Sequence, residues 1–114
     1  MWNLAEAFQC AGQFDRAEAL LLSFANSNPS ANTWNQVAFT EAHLGRTDAV
    51  FAATDKALIL DPNNATSYAY RGLAKFAVNN VEGARADLAR ALSLDPHNSA
   101  ALAGNRRLSG LQGR

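Results

Sequence analysis

The chain has a single cysteine, Cys10, and no long hydrophobic run among its 114 residues. One cysteine excludes an internal disulfide framework and says little about the compartment. No apolar stretch approaches the ~20 residues that a membrane-spanning helix needs, so we expect no membrane insertion. The first residues lack the basic end and the long apolar stretch of a secretory signal peptide. Because they begin within a helical pattern that has no capping residue ahead of it, we expect an excerpt of a longer array, of unknown localisation.

A net charge is also lacking, because ten acidic and ten basic residues cancel. Without a global field to gather polyanions, nucleic acid is not an expected partner. The charges are unevenly distributed: residues 1–70 carry three basic and seven acidic groups, and residues 71–114 carry seven basic and three acidic groups. Drift among solvated surface charges accounts for such a difference. Head-to-tail self-association is the alternative that it leaves open.

Signals for catalysis are missing as well. Neither His43 nor His97 has a cysteine, histidine or carboxylate at the spacing of a metal site. No glycine-rich phosphate loop is present, and no serine, cysteine and histidine set indicates a nucleophile with its base. We therefore expect no cofactor, no metal and no enzyme activity.

What the sequence does contain is a repeat. Pro29, Pro62 and Pro96 recur at steps of 33 and 34 residues. Three further columns recur at the same steps, namely Gly12, Gly45 and Asn79; Ala17, Val50 and Ala84; and Phe24, Ala57 and Ala91. Within each period, two runs of apolar residues have helical spacing. Glycine or asparagine can close the first helix, and a proline turn ends the second, so each period predicts a pair of amphipathic helices.

The residues around these columns carry a family resemblance. Repeats two and three have an aromatic residue early in the first helix, Trp34 and Tyr68, with a small residue four positions on. An alanine stands early in the second helix of repeats one and three, and each period ends in a proline turn. The chain therefore resembles the tetratricopeptide repeat (TPR) family over nearly its whole length. The resemblance implies an all-α, right-handed superhelical solenoid of antiparallel helix pairs. We interpret residues 1–114 as one such domain: residues 1–30 as an N-terminally truncated first repeat, 31–64 as repeat two, 65–98 as repeat three, and 99–114 as a capping helix and tail.

The capping helix is expected to close the open end of the solenoid. Ser99 is predicted to cap this helix, which carries the apolar residues Leu102 and Leu108. Arg106 and Arg107 interrupt its apolar character, which is typical of a helix that makes an exposed end soluble.

The resemblance also implies a function. In such solenoids the first helices of the pairs line a concave surface that holds a segment of a partner. We therefore expect a non-catalytic protein–protein interaction module, or scaffold, that binds a polypeptide segment. The alternative is an accessory repeat region of a larger enzyme, or of a secretion or assembly machine, that positions a substrate. RNA binding by a related helical-repeat family is a third interpretation, and the basic surface that it needs is missing.

The repeat register predicts which side chains face that concave surface. It forms an amide and aromatic surface, suited to an extended backbone and one or two hydrophobic anchors. For Phe39 and Phe76, packing between neighbouring first helices is the alternative. The predicted groove residues are Asn35, Gln36, Phe39, His43, Tyr70, Leu73 and Phe76.

One subclass of the family can be compared directly. Its members bind chaperone C-termini with a carboxylate clamp of lysine, asparagine, asparagine, lysine and arginine on successive first helices. In this register those places hold Trp2, Glu6, Gln36, Thr66 and Tyr70; one repeat later they hold Asn35, Phe39, Tyr70, Ala100 and Gly104. Neither set supplies the cationic charge that a terminal carboxylate needs. We therefore expect a groove that is not of the clamp type.

A comparison of columns predicts one structural pair. Repeat three has Arg71 where the earlier repeats have Leu4 and Val37, and it has Asp87 where they have Leu20 and Ala53. The two columns change together. Because an unpaired buried arginine would be costly, we predict that Arg71 on the first helix reaches Asp87 on the second.

Overall fold

The computed structural model describes residues 14–112, and every regular element in that range is an α-helix. The prediction of an all-α TPR solenoid is confirmed. The first helix predicted for repeat one lies outside the described residues, together with Trp2, Leu4, Phe8, Cys10 and Gly12. The helices are α1 (Phe14–Ser27), α2 (Ala31–His43), α3 (Thr47–Leu60), α4 (Ala65–Ala77), α5 (Val81–Leu94) and α6 (Ser99–Gln112).

The first helices of successive pairs begin at equivalent capping residues. Ser30 Oγ accepts a hydrogen bond from the Thr33 amide at 3.2 Å, and Asn64 Oδ1 accepts one from the Ser67 amide at 3.0 Å. Each cap satisfies a backbone N–H that would otherwise lack a partner in the first turn. The same type of residue at the same step therefore starts α2 and α4.

The cap of α6 is Asn98, so the prediction that Ser99 caps this helix is wrong. Asn98 Oδ1 accepts a hydrogen bond from the Ala101 amide at 3.0 Å, which makes Ser99 the first helical residue. Of the residues of this helix, Ala101 and Leu108 are buried, whereas Leu102 is 41% exposed.

The turns within the helix pairs need a left-handed backbone. Gly45 has φ of 76° and Asn79 has φ of 66°, a region that glycine and asparagine tolerate best. In each turn the next amide closes on the preceding helix: Arg46 N donates to the Glu41 carbonyl at 2.9 Å, and Asn80 N to the Lys75 carbonyl at 2.8 Å. These turns reverse the chain, so α2 packs against α3 and α4 packs against α5.

The helices form two layers. The first helices α2, α4 and α6 lie side by side, and α1, α3 and α5 pack behind them. Alanines that are fully buried, such as Ala38, Ala57 and Ala84, let the helices approach closely. At Gly72 an added Cβ would lie 3.0 Å from Leu88 Cγ, so α4 and α5 pack in direct contact there. We call the surface shared by α2, α4 and α6 the first-helix face.

Candidate functional site

A hollow on the first-helix face has a volume of about 550 Å³. It is lined by residues of α2, α4 and α6 together with Thr47 and Val50 of α3, and five of the lining residues are alanines. We call it the aromatic hollow. The side chains that give it its chemistry are Phe39, His43, Tyr70, Leu73 and Arg107.

The aromatic rings in this hollow pack against one another. The Phe39 ring centroid lies 4.3 Å from that of His43 and 6.3 Å from that of Tyr70. His43 Nδ1 lies 2.9 Å from the Phe39 carbonyl oxygen, and because a carbonyl only accepts, Nδ1 carries the proton and donates it. Burial raises the pKa of the Tyr70 hydroxyl above its ordinary value, so this group stays protonated. The hollow thus presents fixed aromatic area with few charges.

A second, smaller hollow of about 320 Å³ lies beside the first on α2 and α4. We call it the amide hollow, and Tyr70 lines both hollows. Amide and hydroxyl groups can hydrogen-bond the backbone of an extended segment without requiring a charge. Its polar lining residues are Asn32, Thr33, Asn35, Gln36, Thr66 and Tyr70.

Most of the groove residues predicted from the sequence line these hollows. Phe39, His43, Tyr70 and Leu73 lie in the aromatic hollow, and Gln36 lies in the amide hollow. Residues that are 34 positions apart line the same hollow: Phe39 and Leu73 line the aromatic hollow, and Gln36 and Tyr70 line the amide hollow.

Asn35 borders the amide hollow and also takes part in the packing of the helices. Its side chain is only 5% exposed. Asn35 Nδ2 donates to Asn64 Oδ1 at 3.0 Å, and Ser67 Oγ donates to Asn35 Oδ1 at 2.7 Å. The amide is therefore engaged between α2 and the start of α4, where it joins two repeats. It also borders the amide hollow, so its place in the groove stays a prediction.

Phe76 lies apart from the other predicted groove residues. It is half-buried and packs against the core cluster that contains Leu88, Ala101 and Leu108, outside both hollows. Packing between helices, the alternative stated for this residue, describes its position. The aromatic surface predicted for the groove is consequently smaller by one ring.

Sequence reasoning missed Arg107 as a site residue. It assigned this arginine to the soluble end of the capping helix, whereas its side chain lines the aromatic hollow. The signal was available in the repeat, because Phe39, Leu73 and Arg107 follow one another at steps of 34 residues.

The structure brings Arg71 and Asp87 together across α4 and α5. Arg71 Nε donates to Asp87 Oδ2 at 2.9 Å and Nη2 donates to Oδ1 at 3.0 Å, a two-point contact. Lys75 Nζ also lies 3.0 Å from Asp87 Oδ2, and Arg71 Nη1 lies 3.4 Å from Asp55 Oδ1. Burial raises the pKa of Asp87, but the hydrogen bonds from Arg71 and Lys75 outweigh it and hold that pKa below its usual range.

Two further features are absent from the part of the chain that the structure describes. Within residues 14–112, no three His, Cys, Asp or Glu side chains lie together in a way that could hold a metal ion. In the same range, no helix combines the length and apolar character needed to cross a membrane. His97 is an exposed turn residue whose amide donates to Asp95 Oδ1 at 3.1 Å.

Comparison with known proteins supports the fold. No protein-family model matches the sequence. One curated relative, the human FK506-binding protein-like protein, is 33% identical over 101 residues, which cover 87% of this chain. The chain spans 28% of the length of that relative.

Three solved structures share the architecture over nearly all of the chain. The first TPR domain of human RPAP3 has a TM-score of 0.88 at 22% identity, over 98% of this chain and 89% of that domain. The first TPR of Spaghetti (RPAP3), bound to the HSP90 peptide SRMEEVD, has a TM-score of 0.85 at 22% identity, over 98% and 90%. The TPR domain of Arabidopsis OM64 has a TM-score of 0.85 at 24% identity, over 93% and 88%.

Proposed function

Since the chain has the tetratricopeptide repeat fold, we propose that it is a protein interaction module that holds a polypeptide segment on its first-helix face. The observation that carries this proposal is the aromatic hollow, where Phe39, Tyr70 and Leu73 offer apolar area across two neighbouring repeats. The segment would be extended, with a hydrophobic side chain anchored among these residues. Catalysis is not part of the proposed role.

The amide hollow supplies the second half of the binding surface. Gln36 and Thr66 lie beside Tyr70 and can hydrogen-bond the backbone of a segment whose side chain occupies the aromatic hollow. Such backbone contacts do not require a free chain end. The ligand is therefore a segment internal to its chain as readily as a terminal one, with modest dependence on salt.

Peptide selection with groove variants tests this function. Random peptides, displayed with both ends blocked, are selected on the wild-type chain, and the strongest binder is titrated by calorimetry. Phe39→Ala and Tyr70→Ala should each raise the Kd about tenfold, because each removes a central aromatic contact. Circular dichroism should show nearly unchanged helicity, since both side chains are only half-buried.

Ile59→Ala is the matched control, because Ile59 is a large apolar residue on α3 that is 79% exposed and lines neither hollow. It should bind the selected peptide as the wild type does. If both groove variants bind like the wild type, or if Ile59→Ala alone weakens binding, the contact surface is elsewhere.

We further propose that the chain is not of the carboxylate-clamp type, although the first TPR of Spaghetti was solved with SRMEEVD bound. Gln36, Thr66 and Tyr70 stand where the clamp would need an asparagine, a lysine and an arginine, so two cations are missing. Titration with SRMEEVD should give no binding that depends on the free carboxylate. Tighter binding of the free acid than of its C-terminal amide would contradict this.

A role within a larger machine is the second candidate. The observation that favours it is the match to less than a third of the human relative, in which the similar region is one part of a longer protein. In that setting the same first-helix face would position a substrate for a neighbouring domain. Loss of substrate processing on Phe39→Ala, in a longer polypeptide whose isolated catalytic domain stays active, would distinguish this role from scaffolding.

A further inference from the structure

The aromatic hollow has an uneven electrostatic character. Arg107 is the one lysine or arginine among its described lining residues, and no Asp or Glu side chain lines it. None of the ion pairs found among the side chains that the structure describes uses this arginine. By contrast, the cations of the adjacent helix pair, Arg71 and Lys75, already contact Asp87. An anionic group on a ligand in the hollow would therefore meet a guanidinium that is not engaged by these carboxylates.

The packing of α6 places Arg107 beside the apolar anchor site. A Cβ added to Gly104 would lie 3.0 Å from Leu73 Cδ2, so α6 touches α4 at this point. Arg107 follows Gly104 by one helical turn and projects from the same face of α6. Leu73 and Arg107 are thus neighbours across the α4–α6 contact, and both line the hollow.

We propose that Arg107 selects an acidic side chain in the bound segment, about three residues away from the hydrophobic residue that contacts Phe39 and Leu73. This rests on the proposed function of the aromatic hollow. The spacing follows from two dimensions: packed helices lie about 8–10 Å apart, and an extended chain advances about 3.3 Å per residue. A chain crossing from α2 over α4 to α6 covers one helix spacing in about three residues.

The occupant is therefore an internal peptide segment with an aliphatic or aromatic residue and an aspartate or glutamate about three positions along. Charge complementarity favours such a segment, because its acidic side chain would meet Arg107 and no carboxylate among the described lining residues. The carboxylate that Arg107 recognises belongs to a side chain and not to a chain end. The positions compared with the clamp for a terminal carboxylate end at Gly104, and Arg107 lies one helical turn beyond them.

Parallel selections test this inference with end-blocked random peptides on the wild type, Arg107→Gln and Arg107→Glu. The wild type should enrich an apolar residue together with Asp or Glu about three positions away. Arg107→Gln should keep the apolar residue and lose the acidic preference, and Arg107→Glu should enrich Lys or Arg in its place. Replacing the acidic residue by its amide in the best wild-type peptide should weaken binding about twofold to fivefold, as expected for an exposed ion pair.

Arg106→Gln is the matched control, because Arg106 is the exposed neighbour of Arg107 on α6 and does not line the hollow. It should keep the acidic preference. The same preference in Arg107→Gln, or none in the wild type, would overturn the inference. If the selected apolar peptides still depend on Phe39, the proposed function survives that result; if nothing is enriched, or Phe39→Ala binds equally well, the proposed function fails first.

A second copy of the chain is the competing occupant. Sedimentation equilibrium of the free wild-type chain should give a monomer at the concentrations used for titration. Self-association that Phe39→Ala abolishes would assign the hollow to another copy and overturn the inference.

Discussion

The contact between the paired helices is apolar in repeat two and polar at the equivalent positions of repeat three. In repeat two, Val37 on α2 and Ala53 on α3 are each 2% exposed and belong to the apolar core. In repeat three, the equivalent positions hold Arg71 and Asp87, joined by two hydrogen bonds of 2.9 and 3.0 Å. The fold therefore requires that this position be filled and its polar groups satisfied, and it does not require that the position be apolar.

The polar version is asymmetric in its exposure. The Asp87 side chain is 8% exposed, whereas that of Arg71 is 25% exposed, and its aliphatic stem allows the guanidinium to reach toward solvent. Asp87 also contacts Lys75, so the buried carboxylate has two cationic partners. The comparison between repeats predicts that removing one side of this network costs more than removing both.

The largest effect should come from breaking the pair on one side. Asp87→Leu leaves Arg71 and Lys75 facing an apolar side chain and should destabilise the chain by about 3 kcal/mol, and Arg71→Leu by about 2 kcal/mol, because Lys75 remains. The double variant Arg71→Leu with Asp87→Leu should lie within about 1 kcal/mol of the wild type, as an apolar contact like that of repeat two. Urea denaturation of the four proteins gives the coupling free energy.

Asp55→Leu is the control for that cycle. Asp55 contacts the same arginine at 3.4 Å, but its side chain is 60% exposed, so its loss should cost less than about 0.5 kcal/mol. Additive effects of the two single changes in the cycle would show that Arg71 and Asp87 do not stabilise each other.

A smaller effect should appear with acid. Burial raises the pKa of Asp87, but the hydrogen bonds from Arg71 and Lys75 lower it by more, so the net change is a decrease. A carboxyl group whose pKa is lowered on folding stabilises the protein at pH values above its unfolded pKa of about 4. This stabilisation is lost as the pH falls through the pKa of the group in the folded protein. The stability of the wild type should therefore fall, relative to the double Leu variant, as the pH drops below about 4.

Urea denaturation of the wild type and of the double Leu variant between neutral and acidic pH measures this difference in the free energy of unfolding. The contributions of the other carboxyl groups cancel, because both proteins share them. A constant difference across that range would mean that Asp87 is not stabilised in its charged form.

Much of the fold could be predicted from the 34-residue columns, because they mark positions that the backbone itself constrains. Gly45 and Asn79 have the positive φ that their column predicted. The cap of α6 was misplaced because Ser99 was judged alone. The equivalent residues Ser30 and Asn64 both cap their helices, and the same step leads to Asn98.

The candidate site was less predictable, because repeat register fixes the direction of a side chain and not its contacts. Phe39, Tyr70 and Leu73 line the hollow that their register implied. Asn35 borders the amide hollow, but its side chain also bonds Asn64 at the end of its own repeat and Ser67 of the next repeat. These contacts depend on the distance between repeats, which the sequence does not state.

The central claim is that the first-helix face binds a peptide, and mapping by nuclear magnetic resonance tests it most directly. The uniformly ¹⁵N-labelled chain is titrated with the end-blocked peptide selected on the wild type, and the shifts of the backbone amides are followed. The account predicts that the largest shifts cluster at Phe39, Tyr70 and Leu73 and extend to Arg107 on α6. Largest shifts on the second helices α3 and α5, around Ile59, would contradict it.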